Sequence, residues 1–301
     1  MKLIHPGFLL LCGWLAVPTH AVIIAGGDGL GNTNAPPDDP GWANVGRILM
    51  EGRGPSSVTY VGNNWFITAN HVWQLDNPTG VFVNATGYTV DTSTWQRLSY
   101  SGINADLAMF RVTETVTNLP TLTLSPNLVT NGASITMIGD GFDRASSLTY
   151  WNSAWQTTNS AGAVYTGFNW TYNVGTERWG QNVVDAAGWL NDGYGNTYCI
   201  GTTFDASGGT NEAQGALYDS GGGVFFKDGG TWELAGLMLT IGEYPSQPLR
   251  SADYGNATYM ADLAPYHDQI VSIMAIPEPA GVYIAGLGAL LMLHRLRRWR
   301  G

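Results

Sequence analysis

Tyr218-Asp219-Ser220-Gly221-Gly222-Gly223-Val224 sets a serine between an acid and three glycines, at the head of an apolar run. Glycines beside a serine permit a tight turn in which backbone N–H groups converge on one point. Two upstream stretches share its character, each ending or beginning an apolar strand pattern with one polar side chain. Trp65-Phe66-Ile67-Thr68-Ala69-Asn70-His71-Val72 leads into a histidine. Asn104-Ala105-Asp106-Leu107-Ala108-Met109-Phe110 opens with a carboxylate.

These three residue types make one chemical unit. A serine hydroxyl is a weak nucleophile at neutral pH, and an imidazole within hydrogen-bond reach can take its proton and later return it to a leaving group. A carboxylate on the far side of the ring fixes the tautomer and stabilises the imidazolium. The order His71, Asp106, Ser220 allows two groups from an early β-unit to meet one from a later unit.

The rest of the chain suits such a body. It has 301 residues, 44% hydrophobic and only 12% charged, with 40 glycines and 12 tryptophans. That composition buries a core and excludes a disordered chain or a charged coiled coil. The length allows one large or two small domains. Strands are expected at 45–50, 57–61, 65–68, 80–83, 97–100, 107–112, 121–124, 134–138, 223–227 and 232–240, with a turn at Gly62-Asn63-Asn64. Residues 145–215 read as long loops with a few strands. Helix is expected only near the end, over Asp262 to Met274. The formal charge is −10, and residues 22–275 carry 8 basic against 22 acidic side chains. Such a body repels phosphate backbones, which argues against nucleic-acid binding.

Both ends read as addresses. Residues 1–21 form a secretory signal: Lys2, an apolar Gly7 to Val17, and Thr19-His20-Ala21 at the cut. Cys12 falls inside it, so the exported chain keeps Cys199 alone, a small buried residue with no disulfide partner. At the other end Pro277-Glu278-Pro279, a short apolar run and Arg295, Arg297, Arg298 and Arg300 resemble the PEP-CTERM sorting tail. That resemblance implies a Gram-negative-type envelope, an exosortase-type processing enzyme and a membrane contact through the 276–301 segment.

In residues 22–275 the motifs resemble those of trypsin-like serine proteases. Thr68-Ala69-Asn70-His71 is similar to their T-A-A-H, Asp106-Leu107-Ala108 to D-I-A, and Asp219-Ser220-Gly221-Gly222 to the core of G-D-S-G-G-P. Ile138-Gly139-Asp140-Gly141 and Trp232 to Gly236 extend the likeness. The resemblance implies an all-β fold of two six-stranded antiparallel β-barrels with a C-terminal helix and a cleft between the barrels. It implies serine endopeptidase activity with His71, Asp106 and Ser220 catalytic, a protein or peptide substrate, and no cofactor or metal.

The oxyanion hole would use the N–H groups of Tyr218 and Ser220, with Tyr218 replacing the family's glycine. A side chain there is expected to resist the required backbone conformation at about 1–3 kcal/mol. The specificity pocket would fall at Gln214, Thr240, Ile241 and Gly242, without an acid to favour basic residues. Ile24-Ala25-Gly26-Gly27 resembles the segment whose freed ammonium pairs with the acid before the nucleophile, here Asp219. A cut after Ala21 leaves two residues in front of it, so either a second trimming occurs or another group neutralises Asp219. Two other readings stay open: a surface binding module on a protease scaffold, motivated by Tyr218 and the tryptophans of 145–215, and a serine esterase. Asp38-Asp39 and the pair Asp140 and Asp143 are a minor candidate for calcium.

Overall fold

A computed structural model describes residues 22–29, 31–174 and 176–276. The expected signal over 1–21 and the expected sorting tail beyond Ile276 lie outside the described residues. Strands in the first half are β1 Ile23–Ile24, β2 Val45–Met50, β3 Ser56–Gly62, β4 Trp65–Thr68, β5 Pro78–Val83, β6 Thr86–Tyr100 and β7 Ile103–Val112, with helix α1 at Asn70–Leu75. The second half holds β8 Ser134–Gly139, β9 Phe142–Arg144, β10 Thr149–Trp151, β11 Tyr165–Val174, β12 Arg178–Val183, β13 Ala186–Asn191 and β14 Asn196–Thr203. It continues with β15 Ala213–Gln214, β16 Gly223–Asp228, β17 Thr231–Gly242, β18 Ser251–Asp253 and β19 Ala257–Asp262, and ends in α2 His267–Met274.

The first unit is a closed antiparallel barrel in the order β2-β3-β4-β7-β6-β5. Its β3 and β4 are buried along their whole length, whereas β5 alternates buried and exposed positions. A strand covered on both faces reads as a continuous apolar run, and one with a wet face alternates. The β3–β4 turn places Asn63 at φ 50° and Asn64 at φ 64°, the left-handed pair that a two-residue hairpin demands and asparagine tolerates. Phe66 stacks on Phe110 inside this barrel, with ring centroids 5.9 Å apart.

The second unit is a seven-stranded sheet in the order β12-β8-β16-β17-β19-β14-β13. It curls until β12 meets β14. The Asn182 side chain donates to the Thr203 carbonyl at 2.9 Å, and the Asp185 amide donates to Gly201 at 2.9 Å. These bonds tie the two sides of the curled sheet together without a β12–β14 ladder, and β13 is its last strand, the second arm of a hairpin with β14. The fold is all-β with a short terminal helix, as the motifs implied. Helix α2 buries Ile270 and Ile273 against the core shared by both units.

Four local expectations change. Residues 145–215 are strand-rich, not loop-rich, with β10 to β15 in that stretch. Their Asn, Gly and Thr content hides the strands because one arm, β13, keeps mostly exposed positions. Helix α1 follows β4 directly, where no helix was expected. Residues 121–124 make only a single bridge, Leu124 to Leu234. The terminal helix starts at His267, because Asp262 ends β19 and Ala264–Tyr266 form a 3-10 turn. Among the described residues no helix is long and apolar enough to cross a membrane.

The two units are bonded together next to the glycine-rich turn. Ser57 donates from its amide (2.8 Å) and its hydroxyl (3.1 Å) to the Tyr218 carbonyl, and Thr59 Oγ1 donates to the Gly221 carbonyl at 3.1 Å. Gly221 sits at φ 91°, and a Cβ there would run into Thr68 Oγ1 and the Ser57 carbonyl. Only glycine fits both the conformation and the gap.

Candidate active site

His71 is the second residue of α1, directly after β4 carries the chain across the barrel end. Asp106 is the fourth residue of β7, the strand paired with β4. Adjacent strands thus bring together two residues 35 positions apart. The His71 Nδ1 lies 2.6 Å from Asp106 Oδ2, and the His71 amide donates to Asp106 Oδ1 at 2.7 Å. Asp106 is fully buried and His71 half-buried, at the edge of the cleft. The Asp106 amide donates to Thr197 Oγ1 of β14 at 2.8 Å, which ties the carboxylate's backbone to the second unit. Burial pushes the Asp106 carboxyl above its ordinary value, and the hydrogen bond and charge of His71 pull against it. A carboxylate so placed holds one ring nitrogen as donor and leaves the other facing out.

Ser220 approaches from the other unit, on the turn before β16. Its hydroxyl donates to the Leu239 carbonyl at 2.9 Å, so in this state it points to β17 and not to His71. His71 and Ser220 line the same cleft of about 510 Å³. The remaining wall is mostly apolar: Leu75, Trp170, Ala216, Leu217, Met238, Leu239, Thr240 and Ile241.

Peptide orientation beside Ser220 bears on the expected oxyanion hole. The Leu217 carbonyl accepts from the Phe142 amide at 2.9 Å and so faces away from the cleft. In a trans peptide the N–H of Tyr218 then points the opposite way. Neither the Tyr218 nor the Ser220 amide donates to a protein acceptor among the described residues. Tyr218 adopts φ 77°, the conformation expected to be costly for it. Its ring packs on Phe142, 5.1 Å between centroids, and would touch any side chain at Gly54. That packing and the two Ser57 bonds hold the strained residue.

Asp219 is buried beneath the turn. It accepts from Ala216 N at 2.8 Å, Gly141 N at 2.9 Å and Val22 N at 3.2 Å. Burial pushes its carboxyl up to about 7, against those three bonds. The backbone nitrogen that reaches it belongs to Val22 and not to Ile24. Ile24 is paired with Ala213 in the β1–β15 ladder, and Arg144 Nε fixes its carbonyl at 2.8 Å.

The pocket residues divide. Thr240 and Ile241 line the cleft. Gln214 does not: it is fully buried in β15 opposite Ile23, and its neighbours Gly215 and Ala216 take the wall. Gly242 lies beyond the lining, at the end of β17. The calcium candidates are already compensated. Asp38 holds Lys227 at 2.6 Å, Asp39 caps the Gly41 and Trp42 amides, Asp140 faces Arg47 at 3.9 Å and Asp143 faces Arg178 at 3.7 Å. The aromatic insertion is self-packed, with Trp155 stacked on Tyr165 at 3.9 Å and Tyr165 against Tyr244 at 5.2 Å.

Motif reading missed Asp192 and Tyr194. They sit in Asp192-Gly193-Tyr194-Gly195, a turn sequence whose only local signal is a hairpin, and the β13–β14 hairpin carries them onto His71.

No known family model matches the sequence, and no curated protein matches it. Solved structures do. A mutant of human heparin-binding protein is similar over 83% of this chain and 98% of its own, at 15% identity and TM-score 0.52. Neuropsin, a serine protease expressed in the limbic system of mouse brain, is similar over 81% of this chain and 99% of its own, at 14% identity and TM-score 0.51. Likeness at these identities shows the fold, that of the trypsin-like serine proteases.

Proposed function

We propose that the chain is an exported serine endopeptidase. The observation that carries this is the buried His71–Asp106 pair at 2.6 Å, opening on the cleft that Ser220 shares. Rotation of the Ser220 side chain off Leu239 aims its hydroxyl at the free ring nitrogen of His71. That nitrogen takes the proton as Oγ attacks the peptide carbonyl, and Asp106 stabilises the resulting imidazolium. The carbonyl oxygen becomes an oxyanion held by the Tyr218 and Ser220 amides. His71 then protonates the leaving amine, and water repeats the cycle on the acyl-enzyme. The mostly apolar wall, with exposed Leu75, Leu217 and Leu249 around its rim, favours substrates with apolar side chains.

Export belongs to the same reading. A cut after Ala21 turns the Val22 nitrogen, 3.2 Å from Asp219, into an ammonium without any second trimming. Val22 has φ 41°, a poor conformation for a β-branched residue, and a first residue has no φ to strain. Release by signal cleavage would then complete the protein, and the tail would hold it at the envelope until an exosortase-type enzyme acts.

The binding-module reading has less support. The fold is shared by a protein named for heparin binding, but an acidic body repels such a polyanion. Nothing separates peptide from ester substrates except the assay. The test is labelling by a fluorophosphonate. Wild type beginning at Val22 should label, and Ser220→Ala should not; an intact wild-type protein that stays unlabelled beside a labelled control protease overturns the reading.

A further inference from the structure

The Asp192 carboxylate stands beside the His71–Asp106 pair. One ligand-type atom from each of the three residues lies within 4.8 Å of the others. The placement is built, not incidental. Asp192 Oδ1 accepts from the Tyr194 amide at 2.9 Å and the Gly195 amide at 3.0 Å, which sets the hairpin tip. A Cβ on Gly195 would collide with the Asp106 backbone nitrogen, so the tip rests directly on the strand that carries Asp106. Arg97 of β6 clamps both sides, donating from Nε to the Ala105 carbonyl at 2.8 Å and from Nη2 to the Tyr194 carbonyl. The Tyr194 ring covers the imidazole with centroids 5.2 Å apart. Asp192 also lines the cleft with His71 and Ser220.

Resting on the protease reading, we propose that Asp192 is a positioning residue: a second carboxylate that, with Asp106, stabilises the imidazolium formed when Ser220 gives its proton to His71. Asp192 exchanges no proton itself. The proton moves from Ser220 Oγ to His71 and then to the leaving group, while the negative charge of Asp192 stays fixed. Charge interactions at a few ångströms are strong where protein replaces water, and Asp192 is half-buried beside the fully buried Asp106. The burden on Asp106 agrees: after burial and the opposing pull of His71, Asp192 raises its carboxyl both as a charge and through a side-chain contact.

The other charged and titratable groups around the ring are few. Asp106 comes from β7 and Tyr194 from the same hairpin. Arg97 reaches from β6 but spends its guanidinium on two carbonyls. Arg53 caps the Val72 carbonyl at 2.9 Å. Cys199 of β14 lies behind the carboxylates, its thiol pushed up to about 12 by burial first and then by Asp192, Asp106 and Asp262.

The deciding variant is Asp192→Asn, which keeps the side-chain oxygen that accepts the two turn amides and removes only the charge. Expected are an unchanged melting temperature, kcat lower by about 3- to 10-fold with KM little changed, and an acid limb of kcat/KM moved to lower pH by about 0.5–1 unit. Asp192→Glu should restore the wild-type limb. A pH profile and kcat that superimpose on wild type would sink the inference. If neither protein labels at Ser220, the protease reading falls on its own. The His71 ring resonances, followed by NMR against pH with His267→Gln and His294→Gln for assignment, still decide whether Asp192 acts on the imidazole.

Discussion

At Tyr218 a bulky residue occupies a conformation suited to glycine, and the cost of that choice is measurable. Tyr218→Gly and Tyr218→Ala both lose the ring that packs on Phe142, but only alanine keeps a Cβ at φ 77°. The glycine variant should be more stable than the alanine variant by about 1 kcal/mol in denaturant unfolding. Equal stabilities would mean that the left-handed conformation is not retained. Both variants keep the backbone N–H, so both should retain fluorophosphonate labelling. The sequence marks Tyr218 as the departure from the motif, but it cannot say that a ring contact and two Ser57 bonds hold the residue in place. His71, Asp106 and Ser220 were legible because each sits on a short motif beside an apolar run. Asp192 was not, because its partners come from a hairpin whose closeness to β7 is set by Gly195 and Arg97, not by any local pattern.

At the scale of elements, β1 is two residues long but controls a buried charge. With residue 21 attached, Val22 offers Asp219 only an amide. The Asp219 carboxyl is near 7 in the folded protein and about 3.9 in an unfolded chain. Between those values the folded protein keeps a proton that the unfolded chain releases. Stability therefore declines as pH rises from about 4 to about 7, then levels off. A chain that begins at Val22 supplies an ammonium, which favours the carboxylate and cancels the decline. Melting temperatures of the two forms at pH 4.5 and 7.5 should diverge at the higher pH, with the uncut form lower. In the uncut form Asp219→Asn should flatten the dependence. A parallel response in both forms would show that Val22 does not serve Asp219. The resemblance placed this role at Ile24; a two-residue register inside a ladder with β15 lies beyond sequence motifs. The barrel strands were readable because β2 to β4 are short, rich in β-branched and aromatic residues and bounded by glycine and asparagine turns. Strands β12 and β14 were masked by polar residues that the fold buries, Arg178, Asn182, Thr197 and Thr202, and β13 by its exposed positions.

At the scale of the molecule, the cleft exists because the barrel and the curled sheet are fastened beside the turn that carries Ser220. Gly221→Ala should be among the most damaging single changes, since the new methyl group meets Thr68 and Ser57 as well as an unfavourable φ. Little soluble folded protein is the expected outcome. Thr59→Val is the milder probe: it keeps the shape, removes the bond to the Gly221 carbonyl and should lower stability by about 1–2 kcal/mol. A loss confined to activity, without a change in unfolding, would mean that this bond aligns the turn and does not fasten the two units. The two-unit plan was visible from the spacing of the motifs, and the fastening was not, because serine and threonine within apolar strands carry no sign of their partner.

Cys199 has a practical consequence. Its side chain is 2% exposed and its thiol is held neutral up to about 12, a short way behind Asp106. In a chain beginning at Val22 it is the single sulfhydryl, so maleimide finds nothing to modify while the β-structure stays shut. The speed at which alkylation creeps in under mild urea is then a clock for breathing of the floor beneath the His71–Asp106 pair, readable by mass spectrometry without touching Ser220.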